Sequence, residues 1–176
     1  MKKLFSEIPY IKGDGVVLRQ LTRDDAEGLG RLVSSEKVYR YEPTFLFERK
    51  YPDVNMVIDR LYDECLEESI ILGVFEGDAF CGLAEFYGYS DSIHKVSVGL
   101  RFLEECWGRG LATRTLKLMV DYLYGETDVE IIAASSLPAN IGSAAILRKN
   151  GFELVVHNSD EDWGYEQPLS TDKWIK

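Results

Sequence analysis

No apolar run in this chain approaches the roughly 18 residues needed to cross a membrane. The basic start, Met1-Lys2-Lys3-Leu4-Phe5, is followed at once by Ser6-Glu7-Ile8-Pro9, so the apolar stretch of a signal peptide is missing. A cytoplasmic protein with no membrane role is the expectation. Cysteine is scarce: Cys65, Cys81 and Cys106 are scattered, odd in number and without a C-x-x-C pair, and read as reduced thiols, two of them on apolar faces. His94 and His157, the two histidines, stand far apart, and no metal site is expected. Positive charge is also in short supply, with 20 Lys and Arg against 30 Asp and Glu and a net charge of −10. That balance repels phosphate backbones and argues against nucleic acid as a partner. It attracts cations such as polyamines, lysines and free N-termini, although acidity also serves solubility.

What is present suits a single domain over residues 1–176, soluble in composition at 45% hydrophobic, 12% aromatic and 28% charged. There is no repeat, low-complexity tract or linker. Gly13-Asp14-Gly15 is a turn before a strand at Val16–Leu21. Thr22 reads as the N-cap of a helix carrying Leu29, Leu32 and Val33 on one face. After a polar and aromatic loop, Val54, Val57, Ile58, Leu61, Tyr62 and Cys65 recur at helical spacing. Strands follow at Ile70–Phe75, Phe80–Tyr89 and Lys95–Phe102, the last with Val96, Val98, Leu100 and Phe102 alternating with Ser97, Gly99 and Arg101. A helix from Gly110 to Tyr124, a strand at Val129–Ser135, a helix at Asn140–Asn150 ended by Gly151, and strands at Phe152–His157 and Gly164–Leu169 complete the pattern. A strand, helix and strand in that order require a right-handed crossover and a parallel pair. The fold class is a mixed α/β (α+β) sheet flanked by helices.

The segment Trp107-Gly108-Arg109-Gly110-Leu111-Ala112-Thr113 follows a buried strand and opens an amphipathic helix. Its glycines permit a tight turn with consecutive N–H groups exposed, and the helix start adds unpaired donors and partial positive charge. Together these suit a pyrophosphate. Arg101, Arg109, Arg114 and Lys117 form a basic island around it in an acidic chain. The segment is not G-x-x-x-x-G-K-[ST], and Thr113 occupies the third glycine position of a dinucleotide fingerprint, late in an antiparallel meander, so both nucleotide loops are ruled out. A glycine-rich helix start that binds nothing is the remaining alternative.

Val98-Gly99-Leu100, then Trp107 to Thr113, then Asn140-Ile141-Gly142-Ser143, then Gly151-Phe152 resembles the GNAT superfamily of N-acetyltransferases, nearest its RimJ/RimL-like, ribosomal-protein alanine N-acetyltransferase branch. The superfamily pattern Q/R-x-x-G-x-G/A falls on Trp107, Gly110 and Ala112, with Trp in the first place as in that branch. The resemblance spans about Val16 to Leu169. It implies the GNAT fold: a mostly antiparallel sheet of about six to seven strands, about four helices, and a splayed central parallel pair. It implies acetyl-CoA as co-substrate, with its pyrophosphate on the amides of Gly108, Arg109, Gly110, Leu111, Ala112 and Thr113. The edge of Val98, Gly99 and Leu100 would pair with the pantetheine arm. Asn140 would hydrogen-bond that arm with Ser143 nearby, and Asn140 is equally suited to cap its own helix. A homodimer is common among similar proteins.

The reaction implied is direct attack of a neutral amine on the thioester, which requires removal of a proton from an amine of pKa about 10.4 and stabilisation of the carbonyl oxygen. The branch's usual Glu position holds Ser97, and the superfamily's usual Tyr position holds Leu147. Glu85, on the strand before, is the substitute candidate for the base beside Ser97, unless it is an ordinary exposed carboxylate. Tyr87, Tyr89 and His94 are candidates to line the acceptor cleft. Tyr39, Tyr41, Phe45, Phe47 and Tyr51, with Glu42 and Glu48 among them, suit a cationic amine acceptor or a packed lid. Glu104 and Glu105 are expected to pair with Arg101 or Arg109, and Cys106 to be structural. The missing Glu and Tyr leave a second reading open, a non-catalytic acyl-CoA-binding regulatory module.

Overall fold

The computed structural model describes residues 4–64 and 69–176. Cys65, expected on a buried helix face, lies outside them. The chain enters through a hairpin of β1 (Ile11–Gly13) and β2 (Val16–Arg19). Asp14 and Gly15 turn it, both at positive φ (49° and 73°), which matches the twist of paired strands. Only β2 is anticipated by the sequence pattern; three residues are too few to show an alternation. A single 3-10 turn, Arg23–Asp25, leads into α1 (Ala26–Val33). The Asp25 carboxylate accepts from the Thr22 backbone N–H at 2.8 Å, and the Asp25 N–H donates to the Thr22 carbonyl at 2.9 Å. The expected helix start is thus closed reciprocally. One further helical turn, α2 (Glu36–Tyr39), lies in the segment read as loop. The expected second helix is α3 (Val54–Glu64), which buries Val57, Ile58, Leu61 and Tyr62.

The meander is β3 (Ser69–Glu76), β4 (Ala79–Ser90) and β5 (Lys95–Phe102). Residues Ile70 to Phe75 of β3 are all buried, so this inner strand is an unbroken apolar run instead of an alternation. Then follow α4 (Leu111–Glu126), β6 (Ile131–Ser136), α5 (Ile141–Lys149), β7 (Glu153–Glu161) and β8 (Leu169–Ile175). Gly151 ends α5 at φ 75°, as expected of an αL residue. The closing strand expected at Gly164–Leu169 is displaced to β8. Gly164, at φ 79°, donates its N–H to Asp162 Oδ1 at 2.8 Å, and Pro168 has no N–H to give a ladder. Residues 162–168 are therefore a loop.

The strands form one sheet in the order β1-β2-β3-β4-β5-β6-β8-β7. Among the described residues there are eight strands where six to seven were expected, and five helices where about four were; the short β1 and α2 account for the surplus. The mixed, mostly antiparallel GNAT architecture is as expected. Two faces matter for the site. Phe86 of β4 meets Phe5, which in turn meets Tyr122 of α4, so this parity of β4 and β5 looks toward α4. The other parity is set by the register Leu83↔Arg101, Glu85↔Gly99 and Tyr87↔Ser97, whose paired residues share a face. That face looks toward the segment after α2.

Candidate functional site

The parallel pairing of β5 with β6 runs through Lys95↔Ile131, Val96↔Ile132 and Ser97↔Ala133, and goes no further among the described residues. Beyond that point β5 stays with β4 as far as Phe102, and β6 stays with β8 as far as Ser136. The two strands part at Ser97, and the edge of Val98, Gly99 and Leu100 is left without a ladder partner on the β6 side. This is the splay the resemblance implies. Both strands run toward helix starts, α4 after β5 and α5 after β6. Such a crevice at the carboxyl ends of parallel strands is where open α/β sheets bind ligands.

The two helix starts differ. Asn140 caps α5 by accepting the Ser143 N–H on Oδ1 at 3.1 Å, while its Nδ2 donates to no group among the described residues. Among the described residues no side chain caps α4. Its N-cap is Gly110 at φ 73°, preceded by Gly108 at φ 72°, and a Cβ at either would meet nothing within 4 Å. Gly108, Arg109 and Gly110 are exposed, with Leu111 buried and Ala112 and Thr113 half-buried behind them. An L-residue is strained at such φ values, so the two glycines are what let the chain present its amides here. Trp107 anchors the turn by donating its indole N–H to the Phe102 carbonyl at 2.9 Å.

The basic island is smaller than its sequence suggests. Arg109 and Arg114 both pair with Glu76, Arg114 at 2.8 Å; Arg114 and then Arg109 hold that carboxylate below its ordinary range. Lys117 pairs with Asp121. Arg101 is not part of the cradle at all. Strand parity points it to the opposite face from Phe102, where it is buried. Glu104 binds Lys37 and Ser35, and Glu105 binds Arg31, instead of the expected Arg101 or Arg109. Cys106 is buried beside Cys81, and burial pushes its thiol up to about 12, in keeping with a structural role.

Arg101 is the centre of a second constellation. Its Nε lies 2.6 Å from Glu48 Oε1, its Nη2 2.8 Å from Glu85 Oε2, and its Nη1 3.9 Å from Glu42 Oε2. Tyr39 donates its hydroxyl to Glu48 Oε1 at 3.0 Å. The side chains of Arg101 and Glu48 are only 2% and 1% exposed, whereas those of Glu85 and Glu42 reach the surface of the well at 14% and 21%. Burial, opposed by Arg101 and reinforced by Glu48 and Glu85, pushes the Glu42 carboxyl up to about 8. Burial also raises the hydroxyls of Tyr39 and Tyr87. A Cβ at Gly99 would sit 3.6 Å from both Glu85 Oε2 and Arg101 Nη1, so bare backbone at Gly99 borders the well just past the point where β5 and β6 part.

The well is roofed by two distant loops. The Thr44 N–H donates to the Trp163 carbonyl at 2.9 Å, and the Tyr165 hydroxyl donates to the Glu42 carbonyl at 3.0 Å. Most aromatic residues of the 39–51 segment are engaged by the chain's own cations, with Arg49 over Tyr39, Arg40 over Tyr41, and Lys50 over Phe47 and Tyr51, while Phe45 is exposed. That segment is thus a packed lid carrying two acids. Of the cleft candidates, only Tyr87 shares the face of Glu85 and Ser97; Tyr89 and His94 both turn to Asp128. Trp163 and Tyr165 escaped notice in the sequence, and Arg101 was grouped with the basic island. Parity along β5 is the one signal that could have separated Arg101 from the other basic residues. A shallow recess lined by Ile8, Pro9, Tyr10, Arg19, Gln20 and Thr22 contains none of the candidate residues. Among the described residues no helix is long and apolar enough to cross a membrane, and no group of three or more His, Cys, Asp or Glu is arranged to hold a metal ion.

The profile of the acetyltransferase (GNAT) domain family matches residues 16–153. In sequence the chain is similar to the uncharacterized N-acetyltransferase YoaA of Bacillus subtilis, with 26% identity over 149 residues, 82% of this chain and 83% of that protein. In structure it resembles RimJ of Mycobacterium smegmatis in complex with CoA-disulfide, with a TM-score of 0.81, 16% identity, and coverage of 100% of this chain and 90% of that one. It also resembles spermidine N-acetyltransferase of Vibrio cholerae in complex with CoA and spermine, with a TM-score of 0.76, 17% identity, and coverage of 93% and 96%. At these identities the structural likeness is one of fold.

Proposed function

Because this chain belongs to the GNAT acetyltransferase family, with acetyl-CoA as its co-substrate, we propose that it acetylates a cationic primary amine received in the acidic well. The observation that carries this reading is the wedge between β5 and β6, which ends at an uncapped helix start on one side and adjoins a carboxylate cluster on the other. The backbone N–H groups of Gly108 to Thr113 bind the pyrophosphate, and the free edge of Val98, Gly99 and Leu100 aligns the pantetheine arm. Asn140 serves two ends at once: Oδ1 caps α5 beside Ser143, and Nδ2 donates to the arm. A strand N–H of Val98–Leu100 stabilises the oxygen of the thioester carbonyl as it gains charge. Glu85 takes the proton of the attacking amine. Ser97, at the vertex of the splay, supplies a hydroxyl to the departing thiolate. The acceptor is a protein N-terminus, a polyamine, an amino sugar or a small amine, in keeping with a place near the RimJ/RimL-like branch.

The reading includes a single cytoplasmic domain that acts as a homodimer. Strand β7 is at the sheet edge with Leu154, Val155 and Val156 exposed, which favours pairing with a second copy. The test is release of CoA thiol from acetyl-CoA with a panel of amines, with acetylated product identified by mass. Turnover with at least one amine is expected. Calorimetric binding of CoA without turnover on any amine would end the reading. Glu85→Gln is expected to lower turnover and to leave CoA affinity near normal; unchanged turnover removes Glu85 as the base.

A further inference from the structure

Three carboxylates share one guanidinium in the well, and the sharing is unequal. Glu48 holds Arg101 Nε at 2.6 Å and receives the Tyr39 hydroxyl; Glu85 holds Nη2 at 2.8 Å. Glu42 stands 3.9 Å from Nη1, and its carboxylate makes no hydrogen bond among the described residues. Its position is nonetheless fixed, because its N–H donates to the Tyr39 carbonyl at 3.2 Å and its carbonyl accepts the Tyr165 hydroxyl. Of the charged or titratable groups facing it, Arg101 opposes its charge, Glu48 and Glu85 add to the imbalance, and the hydroxyls of Tyr39 on α2 and of Tyr87 carry no charge. Glu48 lies on the same segment, Glu85 and Tyr87 on β4, and Arg101 on β5. Glu161 on β7, within electrostatic reach of Tyr87, is already paired with Lys173. With all three acids ionised, the cluster around Arg101 would carry two uncompensated negative charges out of water, a costly state unless a cation arrives.

Resting on the acetyltransferase reading, we propose that Glu42 holds a proton in the acceptor-free enzyme, and that the ammonium group of the acceptor takes the place of this proton when it binds. The exchange balances: a protonated well and an alkylammonium ion give the ammonium seated between Glu42 and Glu85, with one proton released to solvent past the exposed edge of Glu42. The later transfer of an ammonium proton to Glu85 is a separate step. The well therefore selects for positive charge and penalises acceptors with a carboxylate beside the amine, since these would restore the imbalance. The lift of the Glu42 carboxyl to about 8 agrees with this arrangement. Below that pH, acceptor affinity rises about tenfold per unit of pH, and above it the dependence flattens.

The experiment uses the full chain saturated with CoA, with n-butylamine and 1,4-diaminobutane as probes. Calorimetry in two buffers of different ionisation enthalpy counts the protons released. About one per bound amine is expected at pH 7, falling toward none by pH 9. In Glu42→Gln, isosteric and one charge lighter, release is lost and affinity no longer varies with pH. Carbon-13 NMR of the glutamate carboxyls in the wild-type chain gives an independent reading, with one carboxyl titrating near pH 8 and absent from the variant. Amine binding without proton release at pH 7, a Glu42 carboxyl ionised from pH 5 upward, or no amine bound at all overturns the proposal. Acetyl transfer without proton release would sink this inference and leave the acetyltransferase reading standing. A titrating Glu42 with proton release on binding, but no transfer to any amine, would do the reverse.

Discussion

The cradle at the start of α4 and the well around Arg101 adjoin the same stretch of β5, and they are built from different parts of the chain. The cradle is main chain. Two glycines at φ near 73° and a helix start with no capping side chain present donors whose direction is set by the backbone alone. The well is side chain. Its acids come from the segment after α2 and from β4, its arginine from β5, and its roof from the loop before β8. A cradle of amides binds the constant part of a substrate, because every residue supplies the same donor. A cluster of side chains, by contrast, changes its charge and shape with each replacement, and suits the part that varies between enzymes.

That contrast is open to attack from either side. The largest effect is expected at the cradle: Gly110→Trp fills space that is empty within 4 Å of the glycine, and adds strain at a positive φ. CoA affinity should fall by at least about a hundredfold, equivalent to some 2.7 kcal/mol, in calorimetry on a protein whose circular dichroism is unchanged. Unaltered affinity would place the site elsewhere. At the well, Arg101→Met strands three carboxylates without a counter-charge. A loss of about 3–5 kcal/mol in stability is expected, lowering the thermal midpoint by roughly 10 °C. A midpoint that does not move would mean the cluster is not closed to water.

Next in size is a dependence on pH. On the proposal above, the folded state keeps a proton on Glu42 that the unfolded chain surrenders above the ordinary carboxylate range. Its contribution to stability is complete at low pH, declines as pH rises toward about 8, and is then exhausted. The thermal midpoint should therefore be several degrees lower at pH 9 than at pH 6, and Glu42→Gln should remove most of the difference. Asn140→Ala is the mildest. Loss of the cap costs about 1 kcal/mol, with a several-fold loss of CoA affinity by the same calorimetry. A loss of stability alone would assign Asn140 to its helix and nothing more.

Legibility in the sequence followed the same division. The cradle could be read because glycine at two fixed offsets before a helical period is itself the structure of the turn. β5, α4 and α5 were readable within a residue or two, since each carries a clean period and a marked start or end. The well could not be assembled, because Glu42, Glu85 and Arg101 meet only once the sheet is folded. Proximity in sequence misled in the case of Arg101, which lies eight positions from Arg109 yet faces the other way. β8 was missed because Ser170, Thr171, Asp172 and Lys173 give no apolar alternation; Thr171 and Asp172 are buried through hydrogen bonds to Ser159 and to His157 and Asn158. β1 is too short to carry a pattern of any kind.

The tie between Thr44 and Trp163 joins parts of the chain 119 positions apart. It makes the roof of the well a clasp whose two halves are encoded independently of the fold beneath. Insertions or exchanges in residues 162–168 would reshape the cover over Glu42 while the glycine turn before α4 stayed where it is. On the reading proposed above, an enzyme built this way can exchange acceptors without rebuilding its coenzyme turn.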